Sequence, residues 1–188
     1  MTDLSPMTAL GAQSARRQTH GVLTLTEQTD LALASLSLRR GSVLPTPFGL
    51  TLPDVGKCTD DLAVSAFWIG PDQWMVAEAG KGDVGIAQAL KREAPDCSVT
   101  DQTDGFVAFE ITSSEGGAPI TAVMSKLVNL DAVAFVPGCA TRTGLEHMSV
   151  YILRRAENTL AVIGMRSLAD TLWHALDRAA FHAQGKIR

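Results

Sequence analysis

The stretch VSAFWIGPDQWMVAEA, residues 64–79, decides the fold class because it has the pattern of two β-strands joined by a tight turn. β-Branched and aromatic residues recur at 64–70 and 73–78, and such residues favour the pleated, half-buried surface of a sheet. The Gly-Pro-Asp sequence between them supplies the residue types that reverse the chain in a hairpin. The stretch therefore predicts an antiparallel hairpin with Trp68 and Trp74 on its two paired arms.

Further strand and helix patterns extend on both sides of this hairpin. Strands are predicted at 31–39, 98–101, 106–112, 139–145, 149–154 and 160–164. Helices are predicted at 83–94, 118–127 and 167–183, the first with the acidic Asp83 at its N-terminus and the last capped by Ser167. Because hairpins replace crossovers in this order, the sequence predicts an α+β fold of mostly antiparallel sheets with helices packed on them.

The domain organisation is predicted from length and from the N-terminal composition. Residues 1–20 are predicted to form a mobile tail, since they are small and polar with no apolar period. Residues 21–188 are then predicted to form a single domain, because 188 residues fall within the size of one hydrophobic core. The stretch GKCTDD, residues 56–61, is predicted to be a surface loop.

Charge and hydropathy exclude several classes of protein. With 16 basic and 20 acidic residues interspersed, the net charge of -4 offers no basic stripe for a nucleic acid. No apolar run approaches the roughly 20 residues of a spanning helix, and the N-terminus lacks a secretory signal, so a cytoplasmic location without membrane contact is expected. Cys58, Cys97 and Cys139 are widely spaced, which predicts reduced thiols, neither a disulfide framework nor a zinc site.

The sharpest cofactor motif is GKGDVG, residues 80–85, which matches the G-x-G-x-x-G pattern of dinucleotide-binding loops. Asp101 follows at about the distance of a ribose-binding acid. The preceding strand, however, is the second arm of the predicted hairpin and does not open a parallel β-α-β unit. We therefore interpret this motif as a turn before a helix.

No other local pattern supports chemistry on this chain. Cys139, in Pro-Gly-Cys, has no lysine near it in the sequence and is interpreted as structural. The four histidines form no metal-ligand pattern beyond an Asp170–His174 pair one helical turn apart. A nucleophile elbow is missing from the sequence. The sequence therefore predicts no catalytic, cofactor-binding or metal residues.

Short motifs in a fixed order carry a family resemblance that spans about residues 31–180. They are FWIGPDQW at 67–74, VTDQT at 99–103, Leu130-Asp131, Phe135 with Pro137-Gly138, Arg142-Thr143 and Arg166-Ser167. In this combination the chain resembles the gamma subunit family of heterotetrameric sarcosine oxidase, whose fold is similar to that of the folate-binding aminomethyltransferase group.

The resemblance implies a non-catalytic subunit that works with alpha, beta and delta subunits. The whole enzyme oxidatively demethylates sarcosine to glycine, with release of hydrogen peroxide and transfer of a one-carbon unit to tetrahydrofolate. FAD, FMN, NAD and tetrahydrofolate are expected on the other subunits and no cofactor on this chain. Related folate-dependent repair proteins carry a K-G-C-Y-x-G-Q-E motif, of which only Gly-Cys is present at Gly138-Cys139.

Obligate interfaces are rich in aromatic residues and arginine and poor in lysine and glutamate. The partner surface is therefore predicted to include Trp68, Trp74, Phe106, Arg142 and Arg166, together with the N-terminal tail. Burial inside the core is the competing interpretation for at least one tryptophan. Two alternative functions stay open, a stand-alone folate-binding protein of the aminomethyltransferase type and a homo-oligomeric domain that binds nucleotide at residues 80–85.

Overall fold

A computed structural model describes residues 6–61, 63–131 and 133–184 of the chain. Its strands are β1 Arg17–His20, β2 Leu23–Gln28, β3 Leu31–Ser37, β4 Cys58–Asp61, β5 Val64–Gly70, β6 Gln73–Ala79, β7 Ser98–Asp101, β8 Phe106–Ser113, β9 Cys139–Leu145, β10 Met148–Ala156 and β11 Thr159–Met165. Its helices are α1 Ala87–Glu93, α2 Ala118–Leu127 and α3 Ala169–Gln184. None of the helices within these ranges is long and apolar enough to cross a membrane.

The strands form two antiparallel sheets. A six-stranded sheet has the order β1-β2-β8-β11-β10-β9, and a five-stranded sheet has the order β4-β5-β6-β3-β7. Each sheet mixes strands from both halves of the chain, as the pairing of β2 with β8 and of β3 with β7 shows. The predicted α+β class, with antiparallel sheets and helices packed on them, is confirmed.

The two sheets stack face to face, and helices cover their outer faces. Between the sheets lies a core of small and large apolar side chains, namely Leu33, Phe67, Met75, Ala77, Ala108, Ala140, Leu153, Ala161 and Ile163. Helices α2 and α3 cover the outer face of the six-stranded sheet, and α1 covers that of the five-stranded sheet. Central strands such as β11 are consequently buried on both faces and read as continuous apolar runs.

The sheets are joined at one corner, where the chain just before β4 meets the start of β9. Lys57 and Cys139 lie directly opposite each other in an antiparallel bridge. The Cys58 amide donates to the Gly138 carbonyl at 2.9 Å, and the Ala140 amide donates to the Gly56 carbonyl at 2.9 Å. These bonds fix the separation and angle of the two sheets at this corner, which we call the β4–β9 corner.

The predicted hairpin is confirmed. Strands β5 and β6 pair antiparallel with Trp68 opposite Trp74, and Asp72 in the turn takes a positive φ of 55°. Asp tolerates this left-handed conformation better than most residues, which explains its place in the turn. The Leu38 amide donates to the Asp72 carbonyl at 3.0 Å, so the end of β3 also holds the turn.

Helix α2 has the predicted bounds, whereas the other two helices begin later than predicted. Helix α1 starts at Ala87 and not at Asp83, because residues 81–85 form a turn instead. Helix α3 starts at Ala169 after a 3-10 turn over Arg166–Leu168, and no side-chain hydrogen bond from Ser167 caps it. In both places the chain leaves a strand and needs a tighter turn before α-helical bonding begins.

Three strands were not predicted, namely β1, β2 and β4. Residues 56–61 were expected to be a surface loop, yet Cys58–Asp61 is β4 because its backbone pairs with β5. Strand β1 lies inside residues 1–20, the predicted tail, and pairs with β2 through register partners such as His20 and Leu23. Strands β1 and β4 depend on backbone pairing to a neighbour, which amino-acid propensity does not encode.

The core between the sheets gives a direct test of this architecture. Ile163→Ala is expected to lower the free energy of unfolding by about 2–5 kcal/mol, because Ile163 is 0% exposed and its truncation leaves a cavity. Val84→Ala, at a side chain that is 79% exposed, should change stability by less than about 0.5 kcal/mol. Urea denaturation of both variants measures the difference, and equal midpoints would contradict the stacked-sheet core.

Candidate functional site

The two tryptophans of the predicted interface lie on the outer face of the five-stranded sheet, in the apolar cluster to which α1 contributes. Trp74 is 7% exposed, and its indole Nε1 donates to the Pro53 carbonyl at 2.7 Å. Trp68 is half-buried against the same apolar cluster. The indole N–H of Trp74 is therefore satisfied inside the chain, and Trp68 keeps more of its surface available to solvent.

Phe106 and Arg142 come together around Tyr151, at the margin of the layer between the sheets. The Tyr151 ring lies 5.4 Å from Phe67 and 6.3 Å from Phe106, measured between centroids. The guanidinium carbon of Arg142 lies 5.8 Å from the Tyr151 centroid, and its Nε donates to Ser149 Oγ at 3.1 Å. We call Phe106, Arg142 and Tyr151 the Tyr151 cluster.

The sequence did not single out Tyr151, although it is the one tyrosine of the chain. The pairing of the predicted strands 139–145 and 149–154 could have identified it, because Tyr151 lies directly opposite Arg142 across the β9–β10 hairpin. An arginine over an aromatic face makes a cation–π contact worth roughly 0.5–1 kcal/mol at an exposed site. Arg142 is exposed, so the cluster presents an aromatic surface covered by one cation.

A cavity of about 380 Å³ lies between the N-terminal segment 6–15 and the ends of both sheets. Phe106 and Arg166 lie on its wall, so Arg166 is close to the Tyr151 cluster. Arg166 Nη2 donates to the Met7 carbonyl at 3.2 Å. Four carboxylates line this cavity against one arginine, namely Glu27, Asp30, Asp83 and Asp104. The walls therefore disfavour an anionic ligand.

Glu27 anchors the N-terminal segment over this cavity. It is 2% exposed, and its two carboxylate oxygens accept hydrogen bonds from the Leu10 amide at 3.2 Å and the Arg16 amide at 3.1 Å. A buried carboxylate is stable only when its lone pairs are satisfied, and these amides serve that need. The guanidinium of Arg16 turns away and lies 5.1 Å from the Trp173 ring centroid.

The GKGDVG motif forms a hydrogen bond with another part of the chain. Gly82 N donates to Asp30 Oδ1 at 2.8 Å, in the place where a dinucleotide-binding loop would offer its amides to phosphate. A Cβ at Gly82 would lie 3.1 Å from that oxygen, which explains the glycine. The strand before it, β6, is a hairpin arm, and α1 has only seven residues. The geometry supports the interpretation of this motif as a turn.

Cys139 has a lysine neighbour, contrary to the expectation from the sequence. Lys57 Nζ lies 3.5 Å from Cys139 Sγ, and the thiol donates to the Ala134 carbonyl at 3.2 Å. The two residues are 82 positions apart, and the β4–β9 corner brings them together. Cys97 is different, because burial and the nearby Asp96 raise the pKa of its thiol. The structure thus separates two kinds of cysteine environment.

Arg154 is a buried cation near the same corner. It is 4% exposed, and its Nη2 donates to the Glu157 and Gly117 carbonyls, while Nε and Nη1 have no partner among the described residues. Burial lowers the pKa of the guanidinium, and Glu157 opposes that shift. The guanidinium carbon lies 6.0 Å from the Phe135 ring centroid.

In the part of the chain that the structure describes, no group of three or more His, Cys, Asp or Glu side chains could hold a metal ion.

Solved structures share the fold. One is a chain of the heterotetrameric sarcosine oxidase from Corynebacterium sp. U-96, in a complex with pyrrole 2-carboxylate, with a TM-score of 0.72 and 20% identity over 86% of this chain and 85% of that chain. Another is the glycine cleavage system aminomethyltransferase T from Bartonella henselae, with a TM-score of 0.61 and 13% identity. That alignment covers 84% of this chain and 46% of the aminomethyltransferase. At such identities the likeness establishes the fold. Neither a protein-family model nor a curated protein sequence matches this chain.

The anchoring role of Glu27 leads to a testable expectation. Glu27→Gln replaces one accepting oxygen by an NH₂ group that faces a backbone donor, which costs about 1–3 kcal/mol at a buried site. We expect trypsin to cleave after Arg16 or Arg17 at least about fivefold faster in this variant, because the segment opens more often. Glu115→Gln, at an exposed glutamate, is the matched control. Equal cleavage rates would show that Glu27 does not anchor the segment.

Proposed function

We propose that this chain is a non-catalytic subunit of a heterotetrameric, cytoplasmic oxidase of the sarcosine oxidase type. The observation that carries the proposal is the likeness to a chain of such an enzyme over 86% of this chain and 85% of that one. The aligned region is thus most of both chains. By contrast, this chain spans about half of the aminomethyltransferase, which makes that protein a poorer guide to its role.

In this proposal the larger subunits carry the flavins, NAD and the folate site, and this chain supports their assembly in the oxidative demethylation of sarcosine. The binding surfaces on this chain support that division of labour. Asp30 accepts the hydrogen bond of the Gly82 amide in the GKGDVG loop. Carboxylates outnumber cationic side chains on the walls of the cavity under the N-terminal segment. Nucleotides and folates are anionic, so the carboxylates at the loop and in the cavity disfavour their binding.

We place the contact with the partners at the Tyr151 cluster and the adjacent Arg166. Arg142 is exposed, and Phe106, Tyr151 and Arg166 are each half-buried, which leaves aromatic and guanidinium surface for a second chain. Aromatic side chains and arginines are the commonest hot spots of protein interfaces. Exposed Met7 and Met165 extend this surface with apolar area, at 56% and 53% exposure.

The chain purified alone is expected to be colourless, to lack sarcosine oxidation and to bind no folate. The same chain carrying an affinity tag and expressed in its native cells should retain flavin-bearing partners, and the retained complex should release hydrogen peroxide when sarcosine is added. Absorbance between 350 and 500 nm detects the flavin, and a peroxide assay detects the oxidation of sarcosine. A yellow isolated chain would contradict the proposal, and tetrahydrofolate binding by the isolated chain would favour the stand-alone folate-binding alternative.

Substitution of the two arginines of this surface tests the interface. Arg142→Ala and Arg166→Ala should each weaken assembly by about tenfold, equal to ~1.4 kcal/mol, while circular dichroism and the urea midpoint stay near those of the unsubstituted chain. Arg178→Ala is the control, because Arg178 is exposed on α3 and pairs with Glu146 at 3.0 Å. Titration of each variant against the flavin-bearing partners gives the affinities. Equal affinity for all three variants would place the interface elsewhere.

A further inference from the structure

Cys139 lies between two cationic side chains at the β4–β9 corner. Lys57 is its direct partner in the bridge that joins the sheets, and Arg154 is its direct partner on β10. Directly paired residues project from the same face of a ladder with their Cβ atoms about 4.5–5.5 Å apart. Lys57, Cys139 and Arg154 therefore form one row across three neighbouring chain segments.

A small molecule can approach Lys57 and Cys139 from solvent. A cavity of about 330 Å³ opens beside them, with Lys57, Cys139 and Phe135 among its lining residues. Val55, which is 73% exposed, also lines the cavity and marks its solvent side. A molecule of a few atoms, such as a hydroperoxide, fits this volume and would lie next to Cys139.

Arg154, the β10 partner of Cys139, is a buried cation on the same face of the ladder. Its Nε and Nη1 are buried without a hydrogen-bond partner in the described part of the chain, although the residue is 4% exposed. Buried donors without acceptors are costly, and most proteins avoid them. Arg154 Nη2 donates to the Glu157 and Gly117 carbonyls, and the residue adds a positive charge to the face of the ladder that carries Cys139.

We propose that Cys139 is an oxidation site for hydroperoxides and that Lys57 then captures the oxidised sulfur in a sulfenamide crosslink. In the first step an S–O bond forms as the peroxide O–O bond breaks, giving a sulfenic acid. Sulfur is oxidised by two electrons, and the second peroxide oxygen leaves with the thiol proton as water or an alcohol. The Lys57 ammonium, 3.5 Å from the sulfur, can hydrogen-bond to that leaving oxygen.

In the second step the Lys57 amine, having released a proton to solvent, attacks the sulfur. The S–N bond forms, the S–O bond breaks, and the hydroxyl group leaves with an amine proton as water. Over both steps the chain loses two hydrogen atoms and the peroxide is reduced. The crosslink adds a covalent bond between the two sheets at the β4–β9 corner.

The other cysteines are badly placed to compete with Lys57 for the sulfur. Cys58 follows Lys57 and projects from the opposite face of the strand, where it packs against the core between the sheets. Its thiol donates to the Cys139 carbonyl at 3.6 Å and so meets the backbone of that residue. Cys97 is 1% exposed in the separate cluster under α1. Oxidation at Cys139 therefore leads to an S–N bond and not to a disulfide.

The test uses the full chain, hydrogen peroxide and intact-mass spectrometry followed by non-reducing peptide mapping. We expect a product lighter by two hydrogen atoms, with the Lys57 and Cys139 peptides linked, and dithiothreitol should restore the original mass. Lys57→Arg keeps the charge at an exposed position but removes the nucleophile, so dimedone should trap a sulfenic acid at Cys139 in that variant. Cys97→Ser, the matched control, should crosslink as the unsubstituted chain does.

Three results would overturn the proposal. One is a crosslink that persists in Lys57→Arg, since that places the nitrogen elsewhere. Another is a dimedone adduct at Cys139 in the unsubstituted chain without any crosslink. The third is oxidation of Cys58 or Cys97 ahead of Cys139. None of these results depends on partner subunits, so failure here is distinguishable from failure of the proposed subunit role.

Discussion

Contact between the two sheets is the interaction on which the rest of this structure depends. Alanines from both sheets let the backbones approach, and Phe67, Leu153 and Ile163 fill the remaining volume. A sheet buried on one face by another sheet still has a second apolar face, which helices must cover. The arrangement of α2 and α3 on one side and α1 on the other follows from that requirement.

The features with chemical interest lie at the margins of this layer because the chain itself fills its centre. At one margin the β4–β9 corner closes the stack and brings Lys57 to Cys139. At another the sheets end under the N-terminal segment, where Glu27 holds the chain over a cavity. Tyr151 lies at the edge of the core between the two sheets, and the guanidinium of Arg142 packs over its ring. Each site is thus positioned by strand pairing and not by a local motif.

This explains which predictions from the sequence were confirmed. The hairpin around Trp68 and Trp74 and the bounds of α2 rest on neighbouring residues, so local patterns were sufficient. Strands β1 and β4 have polar sequences, RQTH and CTDD, and exist because a neighbouring strand offers hydrogen bonds. Strand β2 alternates Leu23 and Leu25 with threonines, a signal that was present and missed. The Lys57–Cys139 contact joins residues 82 positions apart, which no local pattern contains.

Proteins that share a fold can differ in function, so the function of this chain has to be inferred from its particular sites. The same architecture occurs in a chain of an oxidase complex and in part of an aminomethyltransferase, two proteins with different names and lengths. What distinguishes this chain is where its charges lie. Carboxylates line the cavity under the N-terminal segment, and Asp30 accepts a hydrogen bond from the Gly82 amide of the glycine-rich loop, whereas Arg142 lies over the ring of Tyr151 at the surface. A cavity lined by carboxylates disfavours anionic ligands, and an arginine over an aromatic ring is typical of protein interfaces, so both features agree with the proposed role as a subunit.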